Sequence, residues 1–91
     1  MIQIKDYLIN SYVERVTSKD IDNFAVKQGI SLTKEENEII MNYIKNHWRT
    51  FYYGNPKELL SELKEKLNSL TYAKLEQLYV QAKEYISYKN P

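Results

Sequence analysis

The chain has 91 residues, with 13 basic and 12 acidic side chains for a formal net charge of +1, 9 tyrosines and no cysteine. That length gives room for one domain, the near-neutral charge creates no field strong enough to gather nucleic acid or lipid, and the absent cysteines exclude a disulfide framework and a thiolate metal site. No apolar run approaches the roughly 20 residues of a membrane span, and no basic leader precedes one, so the expectation is a cytoplasmic protein without a span or signal peptide.

The first helix is expected over about residues 3–15. Ile2, Ile4, Leu8, Ile9, Tyr12, Val13 and Val16 fall there within about half of the helical circumference. Thr17 or Ser18 then caps a short second helix, with Asp20 and Asp22 in its first turn and Ile21, Phe24 and Ala25 on its apolar side. Gly29 ends it by supplying a left-handed residue. Thr33-Lys34-Glu35-Glu36 reads as a capping box, in which the Thr hydroxyl accepts a first-turn amide and the Glu reaches back to the cap's own N–H. It opens a third helix over about 34–51. Ile39, Ile40, Tyr43, Ile44, His47, Trp48 and Phe51 cover one face of it, widened by Met41 and Tyr52. Glu38, Asn42, Lys45, Asn46 and Arg49 share the other side. A face that broad calls for more than one neighbouring helix.

Asn55-Pro56-Lys57-Glu58 repeats the capping pattern, with Pro56 where its missing N–H costs nothing. It opens a fourth helix over about 56–68, on which Leu60, Leu63, Leu67 and Leu70 form a line with Leu59 beside it. Thr71 is expected to cap a fifth helix carrying Leu75, Leu78, Tyr79, Ala82, Tyr85 and Ile86 on one side. The short joint at 68–71 makes the last two helices antiparallel neighbours. No segment alternates with period two. The predicted fold is therefore all-α: one domain over residues 1–91, a compact bundle of four to five short helices.

From about Thr17 to Ala82 the order of these signals resembles a family of short proteins from Bacillus-type bacteria, the YqfT-like domain of unknown function. The residues that carry the resemblance are the Thr17-Ser18 cap, the Gly29-Ile30-Ser31-Leu32-Thr33 connection, the Ile39-Ile40 helix, Phe51 and the leucine-rich stretch from Glu58 to Leu67. The resemblance implies a cytoplasmic bacterial protein. It implies no activity and no catalytic or binding residue.

The residues offer little chemistry. His47 is the only histidine and falls on the apolar face of the third helix, without an oriented carboxylate or nucleophile at helical spacing. The reading is a packed structural histidine and a chain that is not an enzyme. One His and no Cys leave no zinc set, and Glu35, Glu36 and Glu38 fit a dipole-favourable helix start better than a calcium loop. Gly29 and Gly54 are the only glycines, so no phosphate-binding loop is present, and no cofactor or metal is expected. A helix-turn-helix is rejected because Glu35, Glu36 and Glu38 would meet the phosphates with like charge.

One segment stands out. Between Lys45 and Lys57 the chain holds Lys45, Arg49 and Lys57 with no acid, interleaved with His47, Trp48, Phe51, Tyr52 and Tyr53. Cations and aromatics can bind single strands by phosphate contact and base stacking. Helical geometry, however, turns Lys45 and Arg49 away from His47 and Phe51. The favoured function is a small protein-interaction or regulatory module, with a nucleic-acid accessory role through residues 45–57 as the alternative. The exposure of Trp48 separates the two. Candidate partner contacts are Ile9, Val13, Lys45, Arg49, Tyr52 and Tyr53. The partner is another protein or a second copy forming a homodimer, with neither nucleic acid nor membrane favoured. Ile9 and Val13 are assigned to the edge of an apolar arc wider than one seam needs.

Overall fold

A computed structural model describes the backbone of residues 4–89 and the side chains of residues 4–84. Ile2, and the side chains of Tyr85 and Ile86, lie outside the described residues. Among those described, every regular element is helical and no strand occurs. The elements are α1 (Ile4–Arg15), α2 (Ser18–Lys27), α3 (Lys34–Tyr53), α4 (Lys57–Lys66) and α5 (Ser69–Lys89). The fold is all-α with five helices, α3 and α5 being about twice as long as α2 and α4. None is long and apolar enough to cross a membrane. The helices fall into two compact units, one reaching through Trp48 and the other starting at Arg49.

In the first unit the helix punctuation acts as the residues dictate. Thr17, not Ser18, caps α2. Its hydroxyl accepts the Asp20 amide at 3.2 Å and the Asp20 carboxylate accepts the Thr17 amide at 2.9 Å. Gly29 has φ 79°, the left-handed region that costs an L side chain about 1–2 kcal/mol. The Gly29 amide donates to Val26 O at 3.0 Å and the Ile30 amide to Ala25 O at 2.9 Å. These paired bonds close the helix end in a Schellman motif. At Thr33 both arms of the predicted box form: Glu36 N–H to Thr33 Oγ1 at 3.1 Å, and Thr33 N–H to Glu36 Oε1 at 3.2 Å. Val13, Ile21, Ala25, Tyr43 and Trp48 are buried in this unit, with Ile9, Val16, Ile39, Ile40 and Ile44 half-buried.

The sequence reading put α1's apolar residues on one broad arc, with Ile9 and Val13 at the edge left for a partner. The structure divides that arc. Ile9, Val13 and Val16 turn inward, whereas Ile4, Leu8 and Tyr12 stand in solvent. The side of α1 that faces α3 is marked by Trp48 Nε1, which donates to Asn10 Oδ1 at 3.3 Å, and by Lys45 Nζ, which donates to Glu14 O at 3.1 Å. Asn10 and Glu14 lie a turn apart on that side, away from Leu8.

In the second unit two helix starts differ from expectation. α4 begins at Lys57 with Pro56 in the cap position and no side-chain cap bond. Asn55 lies one residue earlier, and its Oδ1 accepts the Lys57 amide at 3.1 Å, an Asx turn rather than a capping box. α5 begins two residues before Thr71. Asn68 is its cap, since Asn68 Oδ1 accepts the Thr71 amide at 2.8 Å and Asn68 O accepts the Tyr72 amide at 2.9 Å. Thr71 is buried within the first turn, and Leu70, expected on the α4 leucine line, is 75% exposed. The rest of that line holds: Leu63 is 2% exposed and Leu67 is buried, with Leu59 and Leu60 half-buried. α4 and α5 pack together. Phe51 meets Tyr79 edge-on with ring centroids 6.0 Å apart.

Candidate functional site

The basic-aromatic segment starts in the first unit, where α3 carries Lys45, His47 and Trp48. Lys45 is exposed, but its ammonium sits on the carbonyl of Glu14, one of the four that α1 leaves without an intrahelical donor. A cation at that end also meets the negative pole of the helix. His47 is half-buried, its ring 5.5 Å from that of Tyr43 one turn earlier and tilted by 48°. Trp48 is 7% exposed with its indole N–H held by Asn10. An indole placed so offers no face on which a base could stack.

The second unit holds the remainder. Arg49 is exposed, Tyr52 half-buried and Tyr53 exposed, the two tyrosine rings meeting edge-on with centroids 4.6 Å apart. Lys57 is exposed in the first turn of α4. α3 has no basic residue in its own last turn. Lys83 of α5 supplies one, donating to Tyr52 O at 3.3 Å. Lys45 and Lys83 thus perform the same task at the ends of two different helices.

Of the other predicted contacts, Val13 is buried and Ile9 half-buried. The apolar surface of α1 that meets solvent is instead Ile4 at 80% exposure, Tyr7 at 69%, Leu8 at 61% and Tyr12 at 75%. Sequence reading missed Tyr7 altogether because it set the helix against its inward arc. The signal that could have found this face is the i, i+4, i+8 spacing of Ile4, Leu8 and Tyr12, a stripe in its own right.

At the start of α3 the acidic residues have separate tasks. Glu35 and Glu38 are exposed, and Glu36 is buried in the capping box. Beside it Asn37 is 4% exposed, its Nδ2 donating to Ser18 O at 2.8 Å and to Asp22 Oδ1 at 2.7 Å, while its buried Oδ1 has no hydrogen-bond partner. Sequence reasoning passed over Asn37. The signal was there: it precedes Ile44 by seven residues and Trp48 by eleven, a polar side chain on an apolar helical line. No group of three or more metal-ligating side chains gathers among the described residues.

Comparison with protein-family models, curated proteins and solved structures finds no match to this chain.

Proposed function

We propose that this protein is a small interaction or regulatory module, without catalytic activity, that engages another polypeptide through an apolar helix face. The observation that carries this reading is how the large side chains are divided. Trp48 is withdrawn from solvent and its N–H is engaged, while Ile4, Tyr7, Leu8 and Tyr12 of α1 are left in water. Leaving four large apolar or aromatic side chains of one helix in water is costly for a chain of this length, and exposed apolar patches of this kind mark interaction surfaces. Tyrosine suits such a surface because its ring supplies contact area while its hydroxyl tolerates water. The resemblance to the YqfT-like domain and the cytoplasmic bacterial setting it implies are part of this proposal and add no chemistry to it.

The alternative is a nucleic-acid accessory role, and what favours it is the exposure of Arg49, Tyr53 and Lys57 in the second unit. A fluorescent single-stranded oligonucleotide tests it by anisotropy at low and high salt. The expected result is no saturable binding at micromolar protein. Tight binding that weakens steeply with salt, and that Arg49→Ala with Lys57→Ala abolishes, would overturn the interaction reading. In the complementary arm the immobilised chain should retain a polypeptide, its own copy or another, that the Tyr12→Glu variant releases.

A further inference from the structure

The outer stripe of α1 has a geometry of its own. Leu8 and Tyr12 follow Ile4 by four and eight residues, so these three form one line along the helix, with Tyr7 on its flank. This side is distinct from the one that carries Ile9, Val13 and Val16 inward. We propose that the stripe seats a second copy of this chain, whose own α1 lies antiparallel on it across a two-fold axis passing beside Leu8. The proposal rests on the interaction reading above and supplies its partner.

Three observations favour a copy over other occupants. The first is area. With about 200 Å² for each large side chain, the exposures of Ile4, Tyr7, Leu8 and Tyr12 leave roughly 600 Å² per chain. Covering both stripes removes about 1,200 Å² from water, the lower end of what a specific interface needs. The second is self-complementarity. Ile4 and Tyr12 lie equally far from Leu8, four residues on either side, so an antiparallel two-fold sets each Ile4 beside the partner's Tyr12 and Leu8 against Leu8. A parallel pairing would stack Tyr12 on Tyr12 and align the two helix dipoles, whereas the antiparallel one opposes them favourably. The third is charge. α1 carries Lys5, Asp6, Glu14 and Arg15, two of each sign. A helix without net charge has no attraction for anionic lipid or nucleic acid, both of which select a basic face. An interface at that lower end is expected to be a weak one, so association is sought in the micromolar range.

The absence of native cysteine makes the test direct. Sedimentation equilibrium of the intact chain should give a mass that rises with concentration from 10.9 kDa toward twice that value. Leu8→Glu should weaken association at least about tenfold and leave the thermal midpoint of the dilute protein unchanged. Leu8→Cys, which keeps a small apolar side chain, should form a disulfide-linked dimer under mild oxidation several-fold faster than Val26→Cys, whose site on α2 is equally exposed. A mass fixed at one chain across roughly 1–200 μM, or equal coupling of the two cysteine variants, overturns the proposal. A chain that stays monomeric while Tyr12→Glu releases a different bound protein also overturns self-pairing but leaves the interaction reading standing. Salt-dependent oligonucleotide binding would remove that reading itself.

Discussion

Asn37 shows how much one polar atom can decide. Both hydrogens of its amide point at oxygens, Ser18 O and Asp22 Oδ1, so turning the amide over would set three acceptors against one another. The buried side chain therefore ties the first turn of α3 to both the first residue of α2 and its Asp22 carboxylate. Asn37→Ala should cost about 1–3 kcal/mol, the usual loss for removing a buried hydrogen-bonding group. Asn37→Asp should cost more at neutral pH, because a buried carboxylate would then face a carbonyl and another carboxylate. That new acid would titrate high in the folded state. The stability it permits is present at low pH and lost as pH rises through the raised value, so the gap between the two variants should narrow on acidification. Urea midpoints at pH about 4 and about 7 read this out, and equal costs at neutral pH would show that Asn37 does not face Asp22. Two tyrosines give a second handle at this scale. Tyr72 donates to Glu76 Oε2 at 2.8 Å. Burial first, then that hydrogen bond and the Glu76 charge, raise its phenol above the ordinary tyrosine range, and burial alone raises Tyr79. Raised phenols lend stability that is complete below the ordinary tyrosine pKa and is lost as pH climbs through the raised values. Phenolate absorbance should show late-ionising steps above the ordinary tyrosine range, one of which Tyr72→Phe removes and another Tyr79→Phe. A single common titration would contradict their burial.

The elements show where local chemistry is legible in sequence and where it is not. At Thr17 and Thr33 the cap, the acid three residues on and the following apolar period all agree, and both boxes form. Gly29 was equally readable because only a left-handed residue closes α2 there. Asn55 and Thr71 failed for a shared reason. Each has a competitor within three residues that fits the cap position or the turn better. Pro56 takes the cap position of α4 and leaves Asn55 to an Asx turn. Asn68 captures the Thr71 amide, which moves Leu70 from the end of the leucine line into the first turn of α5. Thr33→Ala and Asn68→Ala should therefore each cost about 0.5–2 kcal/mol, and Asn55→Ala clearly less, since one exposed turn bond is all it holds. Denaturation of the three variants side by side checks the order. An Asn55 variant as damaging as the Thr33 one would restore the capping-box reading of α4. Lys45 and Lys83 could not have been placed by local rules, because each serves the carbonyl end of a helix about thirty residues away in sequence.

For the whole molecule, the amount of apolar surface on α1 was legible but its division was not. Periodicity makes Ile4 and Val13 the two ends of an arc of about half the circumference; the position of α3, fixed by Trp48 on Asn10 and Lys45 on Glu14, decides which end turns inward. Among the described residues the buried hydrophobics are Val13, Ile21, Ala25, Tyr43 and Trp48 in the first unit and Leu63, Leu67 and Tyr72 in the second. A 91-residue chain with no disulfide to restrain its unfolded state has small reserves, so any association that covers the α1 stripe becomes visible in its stability. A partner that binds only the folded form adds about 2.7 kcal/mol when its concentration is about 100-fold above the dissociation constant. About 1 kcal/mol moves the midpoint of a chain this size by roughly 4–8 °C. The thermal midpoint should therefore rise by several degrees between dilute and concentrated protein if two copies pair through Ile4, Tyr7, Leu8 and Tyr12. Leu8→Glu should flatten that dependence, whereas Thr33→Ala should lower every midpoint and keep the slope. Differential scanning calorimetry across two decades of concentration distinguishes the cases. A wild-type midpoint that does not move would show that the stripe is not covered by a second copy of the chain.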